Sequence, residues 1–151
     1  YTFWALWSSP LLVCTDIRHM SKEKKSILMN KEVIAVNQDE SFIGGTRIKN
    51  DKGTQIWTKP LSNGDVAVVL YNSNSRGGHI EISFQWSDLG FSNTDSVSLR
   101  NIWENSDLNC TTKMEGDLVV LCTSEICLLP NPIHPALPNC KVRTVSVSPF
   151  C

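Results

Sequence analysis

Residues 79–86 read HIEISFQW, and this stretch constrains the fold most tightly. Ile80, Ile82, Phe84 and Trp86 fall at every second position, with His79, Glu81, Ser83 and Gln85 between them. Side chains alternate across a strand, so the pattern predicts a strand with one buried and one wet face. Such strands belong to antiparallel sheets. The neighbouring sequence agrees. TQIWTKPL and VAVVLYN are joined by Ser62-Asn63-Gly64-Asp65, a hairpin signal. SVSLRNIWE and DLVVLCTSEICLLP supply further strands, spaced as in an antiparallel sandwich. Trp86 and Trp103 are expected in its core.

The first 40 residues have another texture. YTFWALW predicts a helix ended by Ser8, Ser9 and Pro10, since a residue before proline avoids the α region. PLLV is short and continuously apolar, as in a strand buried on both faces of a parallel sheet. Ser21 is an N-cap candidate for a helix turning Ile27 and Leu28 inward, with Met20 before it as a staple. Asn30 caps a second helix, KEVIAV, ending near Asn37. The change of texture at Asp39–Gly45 divides the chain into an α/β piece at 1–40, an antiparallel β-sandwich at 41–130 and a Pro- and Cys-containing tail at 131–151. One α/β unit cannot close a parallel sheet by itself, so the α/β piece reads as a remnant and is expected to be loosely held. The first residue is Tyr1 rather than Met, which predicts a mature product or a piece of a longer chain.

Composition excludes several classes. The net charge is −1 and the one basic run, Lys22, Lys24 and Lys25, reads as a solvated helix face, so no nucleic-acid partner is expected. The longest apolar run, Phe3 to Cys14, is interrupted by Ser8, Ser9 and Pro10, and a membrane span takes about 20 residues. The six cysteines show no CxxC spacing and the three histidines do not cluster with them, so neither a metal site nor a cofactor is expected. Five cysteines fall in the last 42 residues, beside the glycosylation sequon Asn109-Cys110-Thr111. Together they predict a secretory-pathway chain with disulfides, of undetermined connectivity, in its C-terminal half. Cys14 reads as a buried thiol at a strand end. Trp4 and Trp7 read as core, not as a sugar-stacking platform, and His79 and Glu81 as solvated.

FWALWSSPLLVCTDIRHMSKEKKSILMNKEVIAVNQD resembles the last β-strand and helices of the barrel in the melibiase-type glycoside hydrolases, the α-galactosidases and α-N-acetylgalactosaminidases. Ala5, Leu6, Trp7, Pro10, Leu11, Asp16, Ile17, Arg18 and Ser21 carry the match, followed by Asn30 through Asp39 almost unbroken. IWTKPLSNGDVAVVLYN, LRNIWE and EICLL resemble the family's C-terminal sandwich more loosely. The resemblance covers residues 3–130. It implies a fold made of the last strand and helices of a (β/α)8 barrel followed by an all-β antiparallel sandwich. It implies membership of an enzyme that removes terminal α-linked galactose or N-acetylgalactosamine with retention. The substrate would be an oligosaccharide or glycolipid bearing an α-galactoside, and the enzyme a lysosomal or secreted homodimer. Active sites lie at the C-terminal strand ends of such barrels, so Cys14, Thr15 and Asp16 are candidates for the pocket rim. Asp16 is expected to hold Arg18 or to cap the following helix. The nucleophile and acid/base Asp come from earlier strands in the family. Neither the K-Y-D stretch of the nucleophile nor the W-N-D-P-D stretch that binds sugar is present, so no catalytic residue is assigned and the chain alone is expected to be inactive. The competing reading is a non-catalytic sandwich that binds carbohydrate or acts as a scaffold.

Overall fold

The computed structural model describes residues 1–73, 80–91, 96–97, 99–107, 112–113, 118–122 and 125–129. The tail, His79 and the sequon at Asn109 lie outside the described residues.

The first helix, α1 (Thr2–Leu6), ends as the serines and Pro10 predict. Ser8 takes a left-handed φ of 51°. Its N–H donates to the Ala5 carbonyl (3.2 Å), and the Ser9 N–H reaches back to Trp4 (3.0 Å). This crossed pair satisfies carbonyls that a helix end otherwise leaves bare. The helix α2 (Lys22–Leu28) starts where Ser21 Oγ accepts the Lys24 N–H at 3.3 Å. The helix α3 (Lys31–Asn37) starts at Asn30, whose Oδ1 accepts the N–H groups of Glu32 (3.0 Å) and Val33 (3.1 Å). Both caps fall where the sequence puts them.

PLLV departs from expectation. Residues 10–13 pair with no strand, and the Leu12 N–H closes a local turn on the Pro10 carbonyl (3.1 Å). Leu12 and Val13 are exposed. A strand needs a neighbour to satisfy its backbone groups, and none of the described strands lies beside this one. Ile27 is also exposed rather than turned inward.

The sheet begins with a strand that the alternation rule misses, β1 (Thr46–Asp51), exposed along its whole length. Lys52 (φ 45°) and Gly53 (φ 85°) turn it into β2 (Thr54–Pro60). Two successive positive φ values match the twist of a two-residue hairpin. The Ser62–Asp65 signal then delivers β3 (Val66–Asn72), in register from Thr54↔Asn72 to Pro60↔Val66. Gly64 (φ 90°) donates to the Leu61 carbonyl, and Leu61 donates to Asp65 at 2.8 Å.

The remaining strands are β4 (Ile80–Phe84), β5 (Ser96–Val97), β6 (Arg100–Asn101), β7 (Ser106–Asp107), β8 (Thr112–Lys113), β9 (Leu118–Cys122) and β10 (Glu125–Leu129). They form a six-stranded antiparallel sheet, β1-β2-β3-β10-β6-β7, with two-stranded sheets β4-β9 and β5-β8. Ile82 and Phe84 are buried, as their alternation predicts. That strand stops at Phe84, and Trp86 opens a 3₁₀ turn instead of continuing it. Trp103 sits half-buried in the turn after β6 rather than on a strand.

Strand β3 explains how helices and sheet combine. Ala67, Val68, Val69 and Leu70 are all buried, so both faces of this strand are covered. Ala67 and Val69 join Ala5, Leu6, Val33, Val36 and Ile102 in one core cluster, ringed by Tyr1, Phe3, Trp57, Leu61, Tyr71 and Trp103. Val68 and Leu70 point the other way. The helices α1 and α3 therefore share a core with the sheet and are not loosely held. What stays exposed is the stretch between α1 and α3.

Candidate functional site

Three layers of residues bear on a site: an aromatic floor, a set of polar ties, and the exposed segment they support. Phe3 sits 5.4 Å from Trp57 and 5.3 Å from Tyr71 in edge-to-face contact, and Trp7 lies tilted against Phe3 (5.1 Å) and edge-to-face with Trp57 (5.7 Å). Arg47 lies over Trp57 at 5.6 Å. Trp57 and Phe3 are thus fixed against each other. Trp4 and Trp7 retain about half their surface in solvent (54% and 43%), so neither is the core residue the sequence predicts.

The polar ties come from the stretch Asn30–Asp39. The Asn30 amide donates to the Ile102 carbonyl (2.8 Å) while its oxygen caps α3. Glu32 receives both Arg100 Nε (2.7 Å) and Nη2 (2.6 Å), and Arg100 also reaches Asp107 (2.6 Å). Those two carboxylates raise the Arg100 guanidinium further above its ordinary value. Asn37, buried, donates to the carbonyls of Trp4 (3.0 Å) and Ser9 (2.8 Å). Asp39 binds Ser41 and also the Ser62 N–H (2.9 Å) and hydroxyl (2.8 Å). Burial pushes the Asp39 carboxyl upward, but the bonds from Ser41 and Ser62 outweigh it and hold it well below the usual carboxylate range.

Lys59 answers from the sheet. It is wholly buried, and its ammonium donates to Ser8 Oγ (2.7 Å) and to the Val36 carbonyl. Burial lowers its pKa from the ordinary lysine value, and the charge of Asp39 opposes that shift.

The segment above these ties holds the candidate rim residues, and all three are exposed. Cys14 is an exposed free thiol, not a buried one, because none of the described strands covers PLLV. Asp16 holds Arg18, the first of the two expected roles, and caps a short turn ahead of α2 rather than α2 itself, which Ser21 caps. The Asp16 carboxylate takes Arg18 Nε and Nη2 in a two-point contact (3.0 Å each), and it caps the 3₁₀ turn Ile17–His19 by accepting the Arg18 N–H (3.0 Å). His19 Nδ1 lies at 3.5 Å. The bonds from Arg18 hold the Asp16 carboxyl below its ordinary value. A carboxylate so engaged stays ionised near neutral pH and is a poor proton donor. Among the described residues no cluster of His, Cys, Asp and Glu could hold a metal ion. No helix among them is long and apolar enough to cross a membrane.

Cys14, Thr15 and Asp16 stand out in the sequence as site candidates, and Lys59 does not. Lysine on a strand ordinarily reads as solvent-facing, and nothing in its neighbours signals that helices cover that face. Asn30, Asn37 and Asp39 were legible as part of a motif but not as ties, because each reaches a partner remote in sequence.

This arrangement, helices that end a barrel seated on an antiparallel sandwich, has counterparts in known proteins. Residues 1–39 match the family model described as alpha galactosidase A, and residues 51–123 match the alpha galactosidase C-terminal beta sandwich domain. The chain belongs to the melibiase family. "Alpha-galactosidase 2" from Arabidopsis thaliana is 40% identical over 119 residues, covering 79% of this chain and 30% of its own length. Alpha-galactosidase I from Mortierella vinacea superposes with a TM-score of 0.76 at 28% identity, covering 87% of this chain and 34% of its own. The β-L-arabinopyranosidase from Geobacillus stearothermophilus shares the fold at a TM-score of 0.74 and 23% identity, covering 90% of this chain and 30% of its own. The chain spans about a third of the length of the melibiase relatives it matches.

Proposed function

We propose that this chain is the C-terminal portion of a retaining glycoside hydrolase that removes terminal α-linked galactose or N-acetylgalactosamine from glycoconjugates. It contributes the last barrel segment, with Cys14, Thr15 and Asp16 at the pocket rim, and the sandwich beneath it. The division follows the two textures of the sequence: barrel end at 1–40, sandwich at 41–130, tail at 131–151. The observation that carries the reading is that α1 and α3, the helices flanking that segment, are built into the sandwich core through Leu6, Val36 and Val69. A free-standing carbohydrate-binding or scaffold sandwich has no need of such helices, which disfavours that alternative.

Retaining hydrolysis needs two carboxyl groups about 5–5.5 Å apart, one attacking the sugar and one protonating the leaving oxygen. Asp16 is already occupied by Arg18, and among the described residues no second carboxylate is tied to it, so the pair is assigned to other parts of the full enzyme. The full enzyme would act on an α-galactoside-bearing oligosaccharide or glycolipid, as a lysosomal or secreted homodimer. Support for that compartment is the sequon at Asn109 and the five cysteines of the C-terminal half.

The 151-residue chain should give no turnover of nitrophenyl α-galactoside or its N-acetylgalactosaminide analogue. Turnover above background that disappears in Asp16→Asn would move Asp16 into the catalytic centre and overturn this reading.

A further inference from the structure

We propose that Lys59 is a positioning residue for the rim: from the sandwich side it fixes Ser8, which with Ser9 forms the foot from which Pro10–Asp16 departs. The proposal rests on the reading of Cys14–Asp16 as a pocket rim.

An ammonium shut away from water needs acceptors, and those of Lys59 do not belong to its own sheet. On β2, Trp57 and Lys59 share one face, and Trp57 is among the residues packed against the helix-covered core. Lys59 thereby reaches Ser8 Oγ at 2.7 Å and the Val36 carbonyl in the last turn of α3, where the helix dipole favours a cation. Ser8 is held at a φ of 51°, a region that residues other than glycine enter uncommonly. Its hydroxyl is anchored by Lys59, while the next carbonyl, that of Ser9, is taken by Asn37 at 2.8 Å. Two adjacent residues are therefore clamped, one from the sheet and one from α3. The chain leaves this clamp at Pro10, whose ring fixes φ and hence the direction of departure. Beyond it, the bonds that hold the segment among the described residues are local: Leu12 to Pro10, and Asp16 to Arg18. The orientation of the rim is thus set at its foot.

The test is amide exchange in the 151-residue chain, comparing wild type with Lys59→Met and Ser8→Ala. Replacing a buried charge by an apolar side chain of similar length is often neutral or stabilising, so Lys59→Met separates anchoring from overall stability. The Ser9 N–H, bonded to Trp4, and the Trp7 N–H, bonded to Phe3, report the foot. The β2–β3 ladder reports the sheet. The expected result is exchange about tenfold faster at Trp7 and Ser9 with the ladder unchanged, since local opening is measured separately from global unfolding. Ser8→Ala should give the same local effect, and the double variant should add nothing at Trp7 and Ser9, because the bond the two changes share is the one from Lys59 to Ser8, whereas the Val36 contact that Lys59→Met also removes lies in α3. Unchanged protection at Trp7 and Ser9 would overturn the proposal. So would an equal loss of protection everywhere, which would make Lys59 a general fold residue. If Lys59→Met does not fold, Ser8→Ala decides by the same two amides. No turnover enters the readout, so failure here leaves the glycosidase reading standing, and activity in the isolated chain would leave the clamp standing.

Discussion

Asp39 gathers Ser41, in its own turn, and Ser62, in the hairpin loop between β2 and β3, onto one carboxylate. Hydrogen bonds to a charged group contribute about 1.5–3 kcal/mol net of compensation by water, and Asp39 is only half-buried, so Asp39→Asn should cost near the lower figure. The sign with pH follows from the depressed pKa. The stabilisation is full above the ordinary carboxylate pKa and is lost as pH falls through that range toward the lower folded value. Urea titrations at pH 7 and pH 3 check this: the wild-type midpoint should fall on acidification by more than that of Asp39→Asn. Gly45 makes a steric claim at the same scale. A Cβ there would sit 2.4 Å from Leu6 Cγ, a wholly buried atom, while one at Gly44 would come no closer than 3.7 Å to the Trp7 carbonyl. Gly45→Ala should therefore destabilise by about 1–3 kcal/mol, as overpacking does, and Gly44→Ala should not. Equal urea midpoints for the two variants would count against the packing described.

At the scale of elements, α3 carries more than its own hydrogen bonds. Asn30 caps it and also satisfies the Ile102 carbonyl in the turn after β6, whereas Ser21 caps α2 in solvent. Loss of a cap costs about 0.5–2 kcal/mol, so Asn30→Ala should lie at or above the upper end and Ser21→Ala near the lower. Thermal or urea unfolding of the two variants measures the difference. Both caps were legible in sequence because a cap is a local device, set by a side chain two or three residues from its partner. PLLV was not, because an apolar run becomes a strand only beside another strand. The edge strand β1 was missed for the converse reason: all six residues are exposed, so it lacks the alternation that marks a half-buried strand. Its hairpin turn, Lys52-Gly53, was the one available signal.

At the scale of the whole molecule, α1, α3 and the sheet should unfold as one unit. Leu6 lies at the centre of the shared core, and truncating a buried leucine costs about 2–5 kcal/mol. Leu6→Ala should lower the protection of β2 and β3 together with that of α1; loss confined to α1 would separate the two bodies. Leu12 (83% exposed), Ile17 (75%) and Phe42 (82%) leave a large apolar surface in solvent. The isolated chain should accordingly associate with rising concentration in sedimentation velocity, and a Leu12→Ser, Phe42→Ser double variant should do so less. The sequence by itself determined the helix caps, the hairpin at Ser62–Asp65, the inward set Ile82 and Phe84, and the family, because each is written in neighbouring residues. Tertiary structure alone decided that β10 lies between β3 and β6, that α1 and α3 cover the face carrying Lys59, and that Pro10–Val13 has no strand partner among the described residues. Those outcomes depend on which surfaces meet across dozens of residues, and periodicity records that a side chain will be covered without recording by what.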